Sequence, residues 1–452
     1  MKSDSLRQAI AREEAQLAEL AHKHNESRER LAALKAELAT LESTPVTPTS
    51  PATQSVADTP ITAEGKISLF RKLFRGRDDV FPLLWMSSKS GRKGYSPACS
   101  NEWVRGVCQK PRVKCSECLN QALLPLTEQA ILDHLQGRHT IGIYPLLKDE
   151  TCWFLAADFD KESWLDDVAA FVDTCRGLGV PTAVERSRSG NGAHVWFFFS
   201  SPVPAVSARR MGCYLITETM SRRHQLAMSS YDRLFPNQDT LPRGGFGNLI
   251  ALPLQYEPRQ AGNSVFLDED FQPHPDQWAY LASLTRIAPS TVESIARKAT
   301  QQGKIVGVRF SSANEDGRDD APWECPPSGR PESVHITEPV PAEVHAVLAQ
   351  RLFVDKTNLS SPLLTQIKRL AAFQNPEFYK KQSMRLSTAL TPRVISCAEE
   401  FPKHIALPRG CQDELAALLQ HYGSTLAIDD QRHSGEPLDV HFDGKLTAIQ
   451  KQ

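Results

Sequence analysis

The chain has 452 residues, 40% of them apolar, with 52 Lys and Arg against 53 Asp and Glu. That length supports two or three domains with substantial cores, and a net charge of -1 names no partner by itself. The N-terminus MKSDSLRQAI has no hydrophobic leader, and no run approaches the roughly 18 apolar residues of a membrane span, which implies a soluble, cytoplasmic protein without a membrane partner.

Residues 5–43 read as a helix with heptad character, with Leu6, Leu20, Leu34 and Leu41 at d and Ile10, Leu17, Leu31 and Leu38 at a. Glu13, His24 and Ser27 interrupt that seam, so homo-oligomerisation through a coiled coil and packing within the chain both remain open. The Pro-, Thr- and Ser-rich stretch 44–66 comes after it as a flexible linker.

A local basic stretch comes next. Arg71, Lys72, Arg75, Arg77, Lys89, Arg92, Lys93, Arg105, Lys110, Arg112 and Lys114 are interleaved with Phe74, Phe81, Trp85, Tyr95 and Trp103, a composition suited to phosphates and stacked bases. An ordinary solvated face would show the same residues. Within it, Cys99, Cys108, Cys115 and Cys118 are spaced C-x8-C-x6-C-x2-C. The other six of the ten cysteines are scattered, which fits a reducing compartment with one structural Zn²⁺ site of Cys₄ type better than disulfides. His134 and His139 are nearby candidates to replace one thiolate.

The apolar run Trp153–Ala157 ends in Asp158, Phe159 and Asp160 and predicts a buried strand over 152–159. Period-two geometry puts the two carboxylates on one face, where their repulsion is relieved by a hard cation such as Mg²⁺. Asp268 and Asp270 repeat the spacing in a polar turn, where solvated acids are the better reading. A helix near 163–178, strands at 182–186 and 193–199, a helix over 205–228 and an apolar strand at 248–254 complete a β-α-β-β-α-β order. This is an α+β fold, ferredoxin-like or RRM-like.

Between the second and third strands lies Arg186-Ser187-Arg188-Ser189-Gly190-Asn191-Gly192-Ala193-His194. Glycines let backbone N–H groups approach a phosphate, and Arg186, Arg188, Ser189 and His194 add charge and donors. A plain tight hairpin also accepts Gly-Asn-Gly, but does not require that surrounding set. The loop 230–248 precedes the expected last strand and offers Asp232 and Asp239 as a third acid. Three carboxylates around two metal ions beside a phosphate cradle suit phosphoryl or nucleotidyl transfer.

A DxD strand, an SGxGxH turn and a later single Asp resemble the three motifs of the archaeo-eukaryotic primase superfamily. The chain is most similar there to the primase domain of TOTE conflict systems, over about 67–285 and through YSPAC-NEW, KCSEC, LAADFD, ERSRSGNGAHVWFFF and SYDRLFPNQDTLPRGGFGNLIALPLQ. The resemblance implies a primase-polymerase that takes nucleoside triphosphates and a single-stranded DNA or RNA template, with Mg²⁺ or Mn²⁺. It implies metal-binding roles for Asp158, Asp160 and Asp239, with Asp232 as the fallback. Ser189 and His194, with Arg186, Arg188, Gly190 and Gly192 around them, would hold the nucleotide's triphosphate. The four cysteines would form a zinc-binding insertion at 99–118. Relatives usually continue into a superfamily 2 helicase. Here a connector and Pro-rich linker, 286–342, lead to a mostly helical, basic region, 343–452, with Gln450 where the helicase's opening glutamine motif would be and no GxxxxGK[ST], so either a separate superfamily 2 helicase partner or a truncated product is expected. A non-catalytic nucleic-acid-binding subunit of a split primase-helicase and a primer-dependent gap-filling polymerase are the competing readings.

Overall fold

A computed structural model describes residues 62–87, 90–160, 162–308 and 336–433, with a few isolated positions outside these ranges. The heptad helix, most of the 44–66 linker, much of the 322–342 Pro-rich passage and Gln450 lie outside the described residues. The elements named below all belong to the unit Asp58–Gln452.

Helix α1, Ala63–Leu73, starts where Thr62 caps the N–H of Gly65 at 3.1 Å. It drives Phe70 and Phe74 into the core, Phe74 standing edge-on to Trp196 and Phe198. The hairpin of β1 (Pro82–Met86) and β2 (Lys93–Pro97) comes next, and then the cysteine-bearing loops. Helix α2, Glu128–Leu135, and the short strand β3, Gly142–Ile143, lead into β4, Thr151–Phe159. The apolar run of β4 is buried on both faces because a helical layer covers one side and Phe74 with its neighbours the other.

Helix α3, Trp164–Gly177, is followed by β5 (Ala183–Arg186), β6 (Ala193–Pro204) and helix α4 (Ala205–Arg222). Asp166 and Asp167 sit in the first turn of α3, where the helix dipole favours acids, and Gly179 with φ of 68° turns the chain away after it. Gly212 is what lets α4 lie flat on the sheet, since a Cβ there would meet Leu155 at 2.7 Å. Strand β7, Leu234–Phe235, completes the motif, while β8 is Ile250–Ala251 and β9 is Phe266–Leu267. The sheet order is β7-β4-β6-β5-β9, antiparallel throughout. Its first four strands have the ferredoxin-like order expected, with β9 added at one edge.

The expected final strand at 248–254 is corrected. Ile250, Leu252 and Leu254 are buried, so the run is apolar, but only β8 pairs, and it pairs with β3 outside the main sheet. The position beside β4 falls instead to β7, which lies earlier in the chain.

Helix α5, Pro289–Gln301, buries Val292, Ala296 and Ala299 against α4, so the domain continues past 285 into what read as a connector. The region 343–452 is also corrected from mostly helical. It holds a five-stranded mixed sheet of β10 (Glu343–Leu348), β11 (Leu352–Asp355), β14 (Glu399–Glu400), β15 (His404–Leu407) and β16 (Thr425–Asp430) in the order β14-β15-β11-β10-β16. Between them come α6 (Ser361–Leu370), β12 (Ala372–Gln374), α7 (Pro376–Ser383), β13 (Val394–Ser396) and α8 (Gln412–His421). Val344, Ala346 and Leu348 alternate inward along β10, the period-two signal of a strand.

Candidate active site

Cross-strand register assembles the site. In the β5–β6 hairpin, Arg186 pairs with Ala193 and Glu185 with His194, and β6 sets His194 opposite Asp158 on β4. On the far side of β4, the Asp158 N–H donates to the Arg233 carbonyl at 2.9 Å. Neighbouring strands thus lay Glu185, His194, Asp158 and Arg233 side by side, with alternating charge.

The contacts repeat that order. His194 Nδ1 lies 2.9 Å from Glu185 Oε2, and its Nε2 lies 3.8 Å from Asp158 Oδ1. Glu185 is buried and accepts as well from Trp196 Nε1 at 2.9 Å and Ser264 Oγ at 3.3 Å. Burial alone would discharge His194; the Glu185 charge and hydrogen bond and the Asp158 charge outweigh it and hold the ring above its ordinary value. Asp160 comes just after β4 on the same face and is about half exposed, at 47%, whereas Asp158 is 17% exposed. The Arg233 guanidinium joins the two, Nη1 standing 3.0 Å from Asp158 Oδ2 and 2.7 Å from Asp160 Oδ2.

The Gly-rich turn reaches the same place. A Cβ on Gly192 would meet the Phe159 carbonyl at 2.5 Å and Asp160 Cα at 3.2 Å, so only glycine allows the turn this close to the paired acids. Gly190 has φ of 79°, and Ser189 Oγ accepts from the Asn191 N–H at 3.3 Å at the exposed tip. Arg188 lies beside the Tyr95 hydroxyl on β2, which brings the basic hairpin to the site. Arg186 is turned to a neighbouring loop: it donates to the Gly262 carbonyl at 3.1 Å and the Phe271 carbonyl at 2.8 Å, pinning the 262–271 loop.

Neither candidate for the third acid joins this cluster. Because β7 runs antiparallel to β4, the chain after Phe235 travels away from Asp158. Asp239 instead pairs with the buried Arg209 through Nε and through Nη2 at 2.8 Å, and accepts from Gln382 Nε2 at 3.0 Å. Burial would raise its carboxyl, but the Arg209 charge and hydrogen bonds hold it below the ordinary range. Asp232 precedes Arg233, and its Oδ1 accepts from the Arg393 N–H at 2.8 Å. Both carboxylates are engaged in the contact between the sheet domain and residues 376–393. Among the described residues, no three His, Cys, Asp or Glu side chains form a ready metal shell.

Cys99, Cys108, Cys115 and Cys118 all line one cavity of about 30 Å³, room for about one small occupant. The Ala122 N–H points at Cys99 Sγ over 3.4 Å, and Lys110 lies beside Cys115. Four cysteine sulfurs around one small space are the residue types that could hold Zn²⁺, though they do not stand as a ready ligand group here. His134 is excluded from it, because it is buried with Nε2 2.9 Å from the Pro253 carbonyl and Nδ1 accepting from the Ile141 N–H, and burial pushes its pKa down to about 4. In the same basic stretch, Trp85, Trp103, Arg92, Lys93, Arg105, Arg112 and Lys114 are exposed.

Asp268 and Asp270 behave as the polar turn implied. Asp268 Oδ1 accepts from the N–H groups of Asp270 and Gln272 at 3.0 and 2.8 Å, capping its own loop.

The model of the TOTE conflict system, Archaeo-Eukaryotic Primase domain family matches residues 65–295, just over half of the chain. The chain belongs to this family. The match spans the primase sheet together with most of α1, the cysteine loops and the first turns of α5. No curated protein matches the chain. Among solved structures it is similar to the "Polymerase Domain from Mycobacterium tuberculosis Ligase D in complex with DNA", at 12% identity and a TM-score of 0.26, over 57% of this chain and 96% of that one. That overlap of shape is too loose to bear on function. Glu185 and Arg233 are the site residues that sequence reasoning missed. A hairpin closed by Ser187 and Gly192 already implies that residue 185 faces 194, whereas nothing in YDRLF marks its arginine.

Proposed function

We propose that this primase-family chain is a metal-dependent nucleotidyltransferase that makes primers or short strands on a single-stranded template. The observation that carries the reading is the meeting of Asp158 and Asp160 with the Gly192 turn and His194 at one end of the sheet. Asp158 and Asp160 would hold Mg²⁺ or Mn²⁺, which when bound supplies an acidified primer hydroxyl and a stabilised pyrophosphate leaving group. The N–H groups and hydroxyls of Ser187–Gly192 would cradle the triphosphate, with the His194 ring and the guanidinium of Arg188 facing it. Glu185 fixes the His194 ring. The exposed tryptophans and cations around the four cysteines would stack and steer the template, the cysteines ordering that loop around Zn²⁺. Its place in a conflict system and a separate helicase partner belong to the same proposal.

A second reading is a template-binding subunit without catalysis, favoured by the arginine that closes Asp158 and Asp160 and by the commitment of Asp239 to Arg209. One assay separates them: incorporation of labelled nucleotides on single-stranded DNA without primer, with Mg²⁺ or Mn²⁺. The enzyme reading expects products from the wild type and none from Asp158→Asn. Binding of template with no incorporation under either metal supports the second reading.

A further inference from the structure

Arg233 is held in an unusual place for a cation in a site meant for another cation. Its carbonyl is fixed opposite Asp158 by a backbone hydrogen bond, so its side chain rises from the neighbouring strand on the same face as the two acids. One nitrogen, Nη1, reaches both carboxylates. The two Asp158 oxygens are therefore divided, Oδ1 facing His194 and Oδ2 facing Arg233. The neighbouring Asp232 is committed to Arg393, and Leu234 is buried, so the backbone at Arg233 is anchored on both sides. The side chain is not anchored in the same way, being 43% exposed.

We propose that Arg233 is a displaceable counter-ion: it neutralises Asp158 and Asp160 while no divalent cation is bound, and leaves them when one binds. This rests on the metal-dependent reading and adds a positioning residue to it. Without the guanidinium, two carboxylates at close range repel, and the end of β4 is pushed apart. With it, the guanidinium stands against both Asp158 and Asp160, and their residual attraction for a second cation is reduced. A divalent ion on the two carboxylates would bring a like charge against the guanidinium. The long, half-exposed arginine is the member able to swing aside, and from there it can face a bound triphosphate. The arrangement sets a threshold: metal binds well only when an anionic ligand arrives to take over the arginine.

The test is metal affinity measured on the full chain by calorimetric titration of Mn²⁺, without nucleotide, for wild type, Arg233→Gln and Arg233→Lys. The expected result is Mn²⁺ binding tighter by about tenfold in Arg233→Gln, with Arg233→Lys in between, because one repelling charge close to the ion has been removed or shortened. Asp158→Asn should abolish the titration in every background. Equal or weaker Mn²⁺ binding in a folded Arg233→Gln overturns the displacement while leaving metal dependence standing. Absence of binding in wild type and variant alike overturns both. Should Arg233→Gln fail to fold, Arg233→Lys decides by the same comparison.

Discussion

Glu185 is the residue through which the chemistry of His194 is set. A buried carboxylate with three donors, Trp196, Ser264 and His194, has no freedom to turn, so it fixes the orientation of the imidazole and, with Asp158, raises its pKa. The ring's pKa is raised from 6.5, so the stabilisation its charge gives the fold is complete below about 6.5 and is lost as pH rises through the raised value. Glu185→Gln should bring the His194 titration, monitored by NMR of the ring protons, down, since the Glu185 charge and hydrogen bond are the main influences that raise it. It should also shift the alkaline limit of nucleotide incorporation downward. An unmoved His194 titration in the folded variant would show that Asp158 alone sets the ring's charge. Asp239 is a different case, a buried carboxylate paired with Arg209. Asp239→Asn removes the negative charge that faces Arg209 in a dry environment, a loss of about 3–5 kcal/mol. Thermal melts should show that loss directly, whereas Asp158→Asn should melt near the wild-type temperature.

At the scale of elements, much of the sheet is legible in the residues alone. The runs at 153–157 and 193–199 are apolar and aromatic enough to be buried strands, and Trp164, Val168, Phe171 and Cys175 mark one face of α3. What was not legible has physical reasons. The run 248–254 carries the hydrophobicity of burial without the pairing of a strand, with Pro253 inside it and Leu254 at φ of 60°. The pair Leu234–Phe235 is too short to announce itself, yet it takes the sheet edge beside β4. The paired acids, the turn and His194 could be found because each is a short local word whose residue types already carry the chemistry. The surroundings of Asp239 could not, since its partner Arg209 lies thirty residues away on α4. The cysteine loops are the element whose role is most directly measurable. Metal analysis of the purified chain should give one Zn²⁺ per protein, and Cys115→Ser should lower that content and weaken template binding without removing incorporation on saturating template. Full zinc content in Cys115→Ser would take that thiol out of the metal site.

At the scale of the whole molecule, residues 382–393 are built into the edge that carries Arg233. Gln382 bonds Asp239 and Thr240, Arg393 bonds Asp232, and Arg385 reaches both Glu150 and the Arg243 N–H. The segment 232–243 that carries Arg233 is therefore clamped from outside the primase sheet, and the family match covering 65–295 does not include the residues that clamp it. None of the described helices is long and apolar enough to cross a membrane. Catalysis as proposed depends on Asp158 and Asp160 acting as a metal-dependent pair. The most direct measurement is primer-free incorporation of labelled nucleotides on single-stranded DNA by wild type and Asp158→Asn, with Mg²⁺ and Mn²⁺. It should show products only from the wild type and only with metal; equal incorporation by a folded Asp158→Asn, or none by the wild type under either metal, would contradict it.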